Sequence, residues 1–180
     1  FDVPVWGSAH THLSVPCDRI LVDGEVLELG VQQWEVLITP GHHPGHVCLL
    51  SEAGLIAGDM VAGFGTILVP PHTGDMGVYI EQLQRLSGSN PHLIFPSHGP
   101  VVAQPQRLLN RYIDHRLKRH ERVLNAVKSG LNDLTSIAKD AYADTPEAHP
   151  GLAEDQALSH LMTLEREERV QQGSSGWSLK

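Results

Sequence analysis

Three short stretches carry residues able to do chemistry. Thr39-Pro40-Gly41-His42-His43-Pro44-Gly45-His46 sets three histidines on one tight turn, where two prolines and two glycines exclude a helix. Imidazole nitrogens so close can converge on zinc or a similar ion. In a chain with 12 histidines in 180 residues, a plain surface loop is the alternative. Ala57-Gly58-Asp59-Met60 ends a short apolar run on an acid. A carboxylate at a strand end can bridge two cations, although a Gly-Asp pair more often only turns the chain. Phe95-Pro96-Ser97-His98-Gly99-Pro100 puts a single histidine on another Pro/Gly-framed turn, where a solvated or structural role is the plain alternative. Each stretch is ambiguous alone. Together they place His42, Asp59 and His98 at successive strand ends, 17 and 39 residues apart. Sites on α/β scaffolds are assembled in this way.

The elements that must position these residues follow from hydrophobic period. Ile20–Val22, Val26–Leu29 and Trp34–Ile38 read as strands, with Asp23-Gly24 turning between the first two. His46–Leu50 and Leu55–Ala57 read as two more, joined at Glu52-Ala53-Gly54. Val78–Leu86 has helical spacing, and His92–Phe95 is another short strand. From Gln104 the pattern becomes helical: a long helix to Lys128, a second capped by Asn132 or Asp133, and a third over Ala153–Arg169. Val170–Gln172, a turn at Gly173–Gly176 and Trp177–Leu179 form a terminal hairpin. On the long helix Leu109, Ile113, Leu117, Leu124 and Val127 make the packed stripe. In the last helix Leu158, Leu161, Met162 and Leu164 read as core.

Charge divides the chain at the same place. Residues 1–110 hold three basic and ten acidic residues, and residues 111–180 hold ten and eleven. Two units are expected, 1–110 and 111–180. The net charge of −8 excludes a generally basic nucleic-acid binder. No apolar run is long enough to span a membrane, so no membrane partner is expected. Cys17 and Cys48 are too few for a disulfide framework, and a reducing, cytoplasmic setting is expected.

The sequence of PGHxxxH, then GDM, then PSHGP resembles the second half of the metallo-β-lactamase superfamily. Gly65-Thr66, Tyr112-Ile113-Asp114-His115-Arg116 and Leu161-Met162-Thr163-Leu164-Glu165 extend the resemblance to the lactamase-β-2 type. That type joins an α/β hydrolase domain, an αββα sandwich, to a small α-helical winged-helix-like domain. The resemblance implies that His42 ligates one metal, His98 a second, and Asp59 both, so that Asp59 is the catalytic bridging group. It places His46 behind these ligands and Gly65 and Thr66 on a substrate loop between Val61 and His72. Two zinc ions are the implied cofactor, with manganese or iron able to use the same donors. The superfamily's His-x-His-x-Asp-His motif is absent. Ala9-His10-Thr11-His12 has only its first part and is read as a decoy. The chain thus resembles the C-terminal part of a longer protein, truncated before half of the ligands and inactive alone.

Two function classes follow. The first is a metal-dependent hydrolase, acting on a small-molecule ester or thioester or on the phosphodiester of a single-stranded nucleic acid. The second is a non-catalytic module in which the winged helix binds nucleic acid or drives oligomerisation. Arg111, Arg116, Lys118, Arg119 and Arg122, interleaved with His115 and His120, would guide a polyanion in either class. A solvated helix face is the simpler reading of that run. A half-sandwich exposes sheet edges, which admits a homodimer or a complementing N-terminal half.

Overall fold

The computed structural model describes residues 3–180. Trp6–Ser8 (β1) and Arg19–Leu21 (β2) pair in parallel, joined through the one-turn helix Ala9–His12 (α1). Val26–Leu29 (β3), Gln32–Ile38 (β4), Val47–Ser51 (β5) and Gly54–Gly58 (β6) then pair antiparallel in sequence. The helix Met76–Gly88 (α2), capped by Asp75, crosses over to Ile94–Pro96 (β7), which lies parallel to β6. Pro105–Lys128 (α3), Leu134–Ala141 (α4), Pro150–Arg166 (α5) and the hairpin Val170–Gly173 (β8) with Gly176–Leu179 (β9) complete the chain.

Strand direction decides where the three chemical stretches go. The main sheet has the order β3-β4-β5-β6-β7. β4 and β6 both run antiparallel to β5, so they share one direction, and β7 follows β6. The carboxyl ends of β4, β6 and β7 therefore open on one edge of the sheet. Residues 39–46, 59–62 and 97–100 all leave from that edge, which is where open α/β sheets hold ligands.

Register sorts the apolar side chains onto two faces. Leu50, Leu55 and Ile94 lie in register and face α2 and α3, where Tyr79, Leu83, Leu86, Leu109 and Tyr112 bury against them. On the other face Val36, Leu49, Ile56 and Phe95 lie in register. Leu21 and Leu27 cover only one end of it, leaving Ile56 40% exposed. A second core joins Val123, Leu124 and Val127 of α3 to Ile137, Leu161, Leu164, Val170 and Trp177. α3 thus contributes to both cores.

Three expectations are corrected. The turn at Asp23-Gly24 exists, but it joins two sheets rather than a hairpin: β2 pairs with β1, and β3 with β4. The pairing of β1 with β2 is parallel and needs a crossover, which local pattern does not reveal. The basic run of α3 is a solvated face only in part: Arg111 and Lys118 are exposed, but Arg116 and His120 are buried against α5 and Arg119 against the end of α4. The packed stripe is rotated to match: Leu117 is 43% exposed, and Met162 on α5 is also partly in solvent.

Candidate metal centre

His42 is aimed by backbone on both sides of it. Gly41 has φ +136 and backs directly on α2, where a Cβ would lie 2.4 Å from Tyr79 Cα. Only glycine fits there, and the Asp75 N–H donates to the Gly41 carbonyl at 2.7 Å, pinning the loop to the helix. The His42 Nδ1 lies 2.7 Å from the Leu68 carbonyl. A carbonyl only accepts, so Nδ1 carries the ring proton and Nε2 keeps its lone pair. That lone pair faces Asp59, with Nε2 3.8 Å from Oδ2.

Asp59 follows the end of β6. Its backbone N–H donates to His46 Nε2 at 3.0 Å, and His46 Nδ1 lies 2.8 Å from Thr39 Oγ1. Burial, followed by the nearby His42, depresses His46 to about 4, so its ring is neutral. Two buried tyrosines hold the residues beyond Asp59. Tyr79 Oη donates to the Met60 carbonyl at 2.7 Å. Tyr112 Oη accepts from the Ala62 N–H at 3.0 Å and donates to the Gly65 carbonyl at 3.2 Å.

The His98 turn docks on the same strand end. The Ser97 N–H donates to the Gly58 carbonyl at 3.1 Å, and the Gly63 N–H to the His98 carbonyl at 2.8 Å. His98 Nε2 then lies 3.2 Å from Asp59 Oδ1. The approach is close but not directed as a hydrogen bond: Oδ1 is buried and accepts none. A buried carboxylate oxygen without a donor is costly. Here it lies beside an imidazole nitrogen, with a second imidazole on the other oxygen. This donor set, nitrogen and oxygen on either side of one carboxylate, suits two cations. Among the described residues no three His, Cys, Asp or Glu side chains group tightly enough to enclose one ion.

The other candidates lie elsewhere. His43 Nδ1 accepts from the Gly45 N–H, and its ring stacks edge-on against His10. His12 Nδ1 accepts from the Cys17 N–H. Gly65 and Thr66 are exposed on the loop that Tyr112 holds. No residue pattern marks the Leu68 carbonyl, because its part is played by main chain. No residue pattern marks the hydroxyls of Tyr79 and Tyr112 either.

The metallo-beta-lactamase superfamily profile matches residues 5–98, the stretch that contains all three side chains. The chain belongs to this superfamily. The metallo-beta-lactamase fold is followed by a match to the beta-lactamase-associated winged helix domain over residues 134–177, the region of α4, α5, β8 and β9. A "Beta-lactamase-like protein 2 homolog" of Drosophila melanogaster is 31% identical over 144 residues, 78% of this chain and 48% of that protein. An "Atrochrysone carboxyl ACP thioesterase" of Aspergillus fumigatus is 29% identical over 63% of this chain and 36% of that protein. The crystal structure of a beta-lactamase domain protein from Burkholderia ambifaria superposes with a TM-score of 0.72 at 27% identity, over 91% of this chain and 53% of that one. The chain thus spans about half or less of each relative. Metallo-beta-lactamase superfamily proteins are generally hydrolytic and generally bind metal ions such as zinc or iron.

Proposed function

We propose that residues 39–98 carry part of a two-metal hydrolase centre, with His42 on one ion, His98 on the other and Asp59 between them. The observation that carries this is Asp59 Oδ1, buried and free of hydrogen bonds beside an imidazole nitrogen, with a second imidazole fixed on the other oxygen. The chain's own residues prepare these donors. The Leu68 carbonyl keeps the His42 Nε2 lone pair open, His46 holds the backbone of Asp59, and Tyr112 fixes the loop beside them. Bound divalent metal supplies Lewis acidity there, polarising an ester or phosphoryl group and lowering the pKa of water. Zinc fits imidazole and carboxylate donors, and manganese or iron use the same set.

An ester or thioester is the preferred substrate over a polynucleotide. Arg116, Arg119 and His120 are buried, and the surface residues Arg111, Lys118 and Arg122 of α3 are interleaved with exposed Asp114 and Glu121, so α3 offers no continuous cationic surface to a phosphate backbone. A relative carrying a thioesterase name points the same way. The chain supplies one nitrogen and one oxygen to each ion, against the four donors of a closed zinc site. The uncovered sheet face with Trp34, Ile56 and Phe95 supports completion of the fold by further polypeptide, as a complementing segment or a second copy. No helix is long and apolar enough to cross a membrane among the described residues.

Zinc titration by calorimetry tests the reading. The 180-residue chain is expected to bind zinc weakly, to retain well under one ion after dialysis, and to hydrolyse an aryl thioester negligibly. Asp59→Asn is expected to abolish the weak binding with the fold intact. Unchanged binding in that variant overturns the ligand assignment, and two tightly held ions per chain overturn the partial centre.

A further inference from the structure

Arg116 is 2% exposed, and no carboxylate among the described residues pairs with it. Its Nη1 donates to Gln156 Oε1 at 3.2 Å, its Nη2 donates to the Ile67 carbonyl, and its Cζ sits 5.5 Å from the Tyr79 ring centre. All three partners are neutral, and its Nε–H has none. Arg119, one helical turn on, is 4% exposed and also leaves its Nε–H without a partner. Arg119 does meet one carboxylate, Asp144, at 2.9 Å, but Asp144 is half in solvent and is shared with Arg122. A charge taken out of water is costly unless an opposite charge meets it.

Arg116 and Arg119 both line a cavity of about 210 Å³. Thr66 and Leu68 form one wall, and Leu152 and Gln156 of α5 form another. His115 and His149 also line it, and no Asp or Glu does. The other ionisable group on its wall is the Tyr142 phenol, which burial pushes up and so keeps protonated, and no anionic side chain lines the cavity among the described residues. We propose that this cavity binds a phosphate-type oxyanion, with Arg116 and Arg119 supplying the positive charge.

The volume limits what enters. It falls below the usual range for a drug-sized ligand, so it takes an anionic group rather than a whole nucleotide. Apolar Leu68, Leu152 and Ala153 line it beside the arginines, with Leu68 and Leu152 partly in solvent at its mouth. Burial first, and then the two guanidiniums, depress His115 to about 4, with Asp144 opposing them. The site also adjoins the candidate metal centre: Leu68 lends its side chain to the cavity and its carbonyl to His42. A phosphorylated small molecule could span the two. The anion site itself is independent of the metal reading.

Thermal unfolding of the 180-residue chain tests this, with chelator present so that no metal takes the anion. Inorganic phosphate and coenzyme A serve as probes, against chloride at equal ionic strength. Phosphate at a hundredfold above half-saturation is expected to raise Tm by roughly 5 °C. Coenzyme A acting alongside phosphate, or in its place, identifies a phosphate carried on a thiol compound; phosphate acting alone identifies a free anion. Arg116→Gln is expected to abolish the shift. Leu152→Glu is the second variant, since Leu152 is 44% exposed in the first turn of α5, where a carboxylate suits the helix dipole. It sets a negative charge on the cavity wall and is expected to abolish the shift in a folded protein. No shift with either probe, or the same shift in wild type and Leu152→Glu, overturns the site.

Discussion

The imidazole Nε2 of His46 accepts the backbone N–H of Asp59 at 3.0 Å. With Nε2 so engaged, the ring proton lies on Nδ1 and is donated to Thr39 Oγ1. Both ring nitrogens are spent within the protein, so His46 has no lone pair for a cation. It instead fixes the main chain from which the Asp59 carboxylate extends.

This contact makes Gly58 obligatory. Gly58 has φ +50, and a Cβ there would lie 2.5 Å from His46 Nε2. Gly58→Ala is expected to cost about 2 kcal/mol or more through strain and the displaced ring. Gly88, at the end of α2, is the control, because a Cβ there would meet nothing within 4 Å. Gly88→Ala is expected to gain about 0.5–1 kcal/mol. Urea unfolding of both compares them directly, and similar small changes would deny the His46 contact.

Tyr112 ties α3 to the loop beyond Asp59. Tyr112→Phe keeps the ring packed and removes both hydrogen bonds, stranding the Ala62 N–H in a buried site. A cost of about 1–3 kcal/mol is expected. Hydrogen exchange at the Ala62 amide should accelerate well beyond the core average, and unchanged exchange there would mean that the loop is held by other contacts.

What was legible in the sequence was local. The Pro/Gly frames around His42 and His98 marked strand ends, and the helices from Pro105 onward showed their period within one segment. Whatever depended on distant chain stayed hidden. The β1–β2 pairing joins residues across an intervening helix, and the Leu68 carbonyl is a main-chain group with no residue signature. The arginines of α3 misled for a physical reason: charge normally implies solvent, and Arg116 and Arg119 are buried against carbonyls and aromatic rings 22 to 49 residues away.

The interface between α3 and α5 should make stability depend on pH. Burial depresses His115 to about 4, and burial followed by the neighbouring His120 holds His160 well below its ordinary value. Arg116 and Arg119 act on both rings in the same direction, and Asp144 opposes them at His115. Between about pH 4 and 6.5 the unfolded chain binds protons that the folded chain refuses. Stability therefore rises with pH across that window and levels above it, at most by about 1.4 kcal/mol per pH unit for each group. Urea unfolding at pH 5 and pH 7 checks this: the protein is expected to be weaker at pH 5, and His115→Gln to reduce the difference. Equal stability at the two pH values would contradict it.

Asp75 does two jobs that substitution can separate. Its Oδ1 accepts the Val78 N–H as the cap of α2, and its two oxygens hold Arg166 of α5 at 2.5 and 2.6 Å, 91 residues away. Burial pushes the carboxyl up, but Arg166 and the backbone amides outweigh it and the net shift is downward. Its contribution is accordingly present above about pH 3.8 and fades as pH falls below that. Arg166 is more than half exposed, so Arg166→Ala is expected to cost no more than about 1 kcal/mol. Asp75→Asn keeps a good cap and should match it. Asp75→Ala loses the cap as well and is expected to cost about 1 kcal/mol beyond either. Equal losses in Asp75→Asn and Asp75→Ala, measured by urea unfolding at pH 7, would assign the whole effect to the ion pair. The larger loss in Asp75→Ala would show that the start of α2, and with it the Gly41 carbonyl that receives the Asp75 N–H beside His42, is set by the cap.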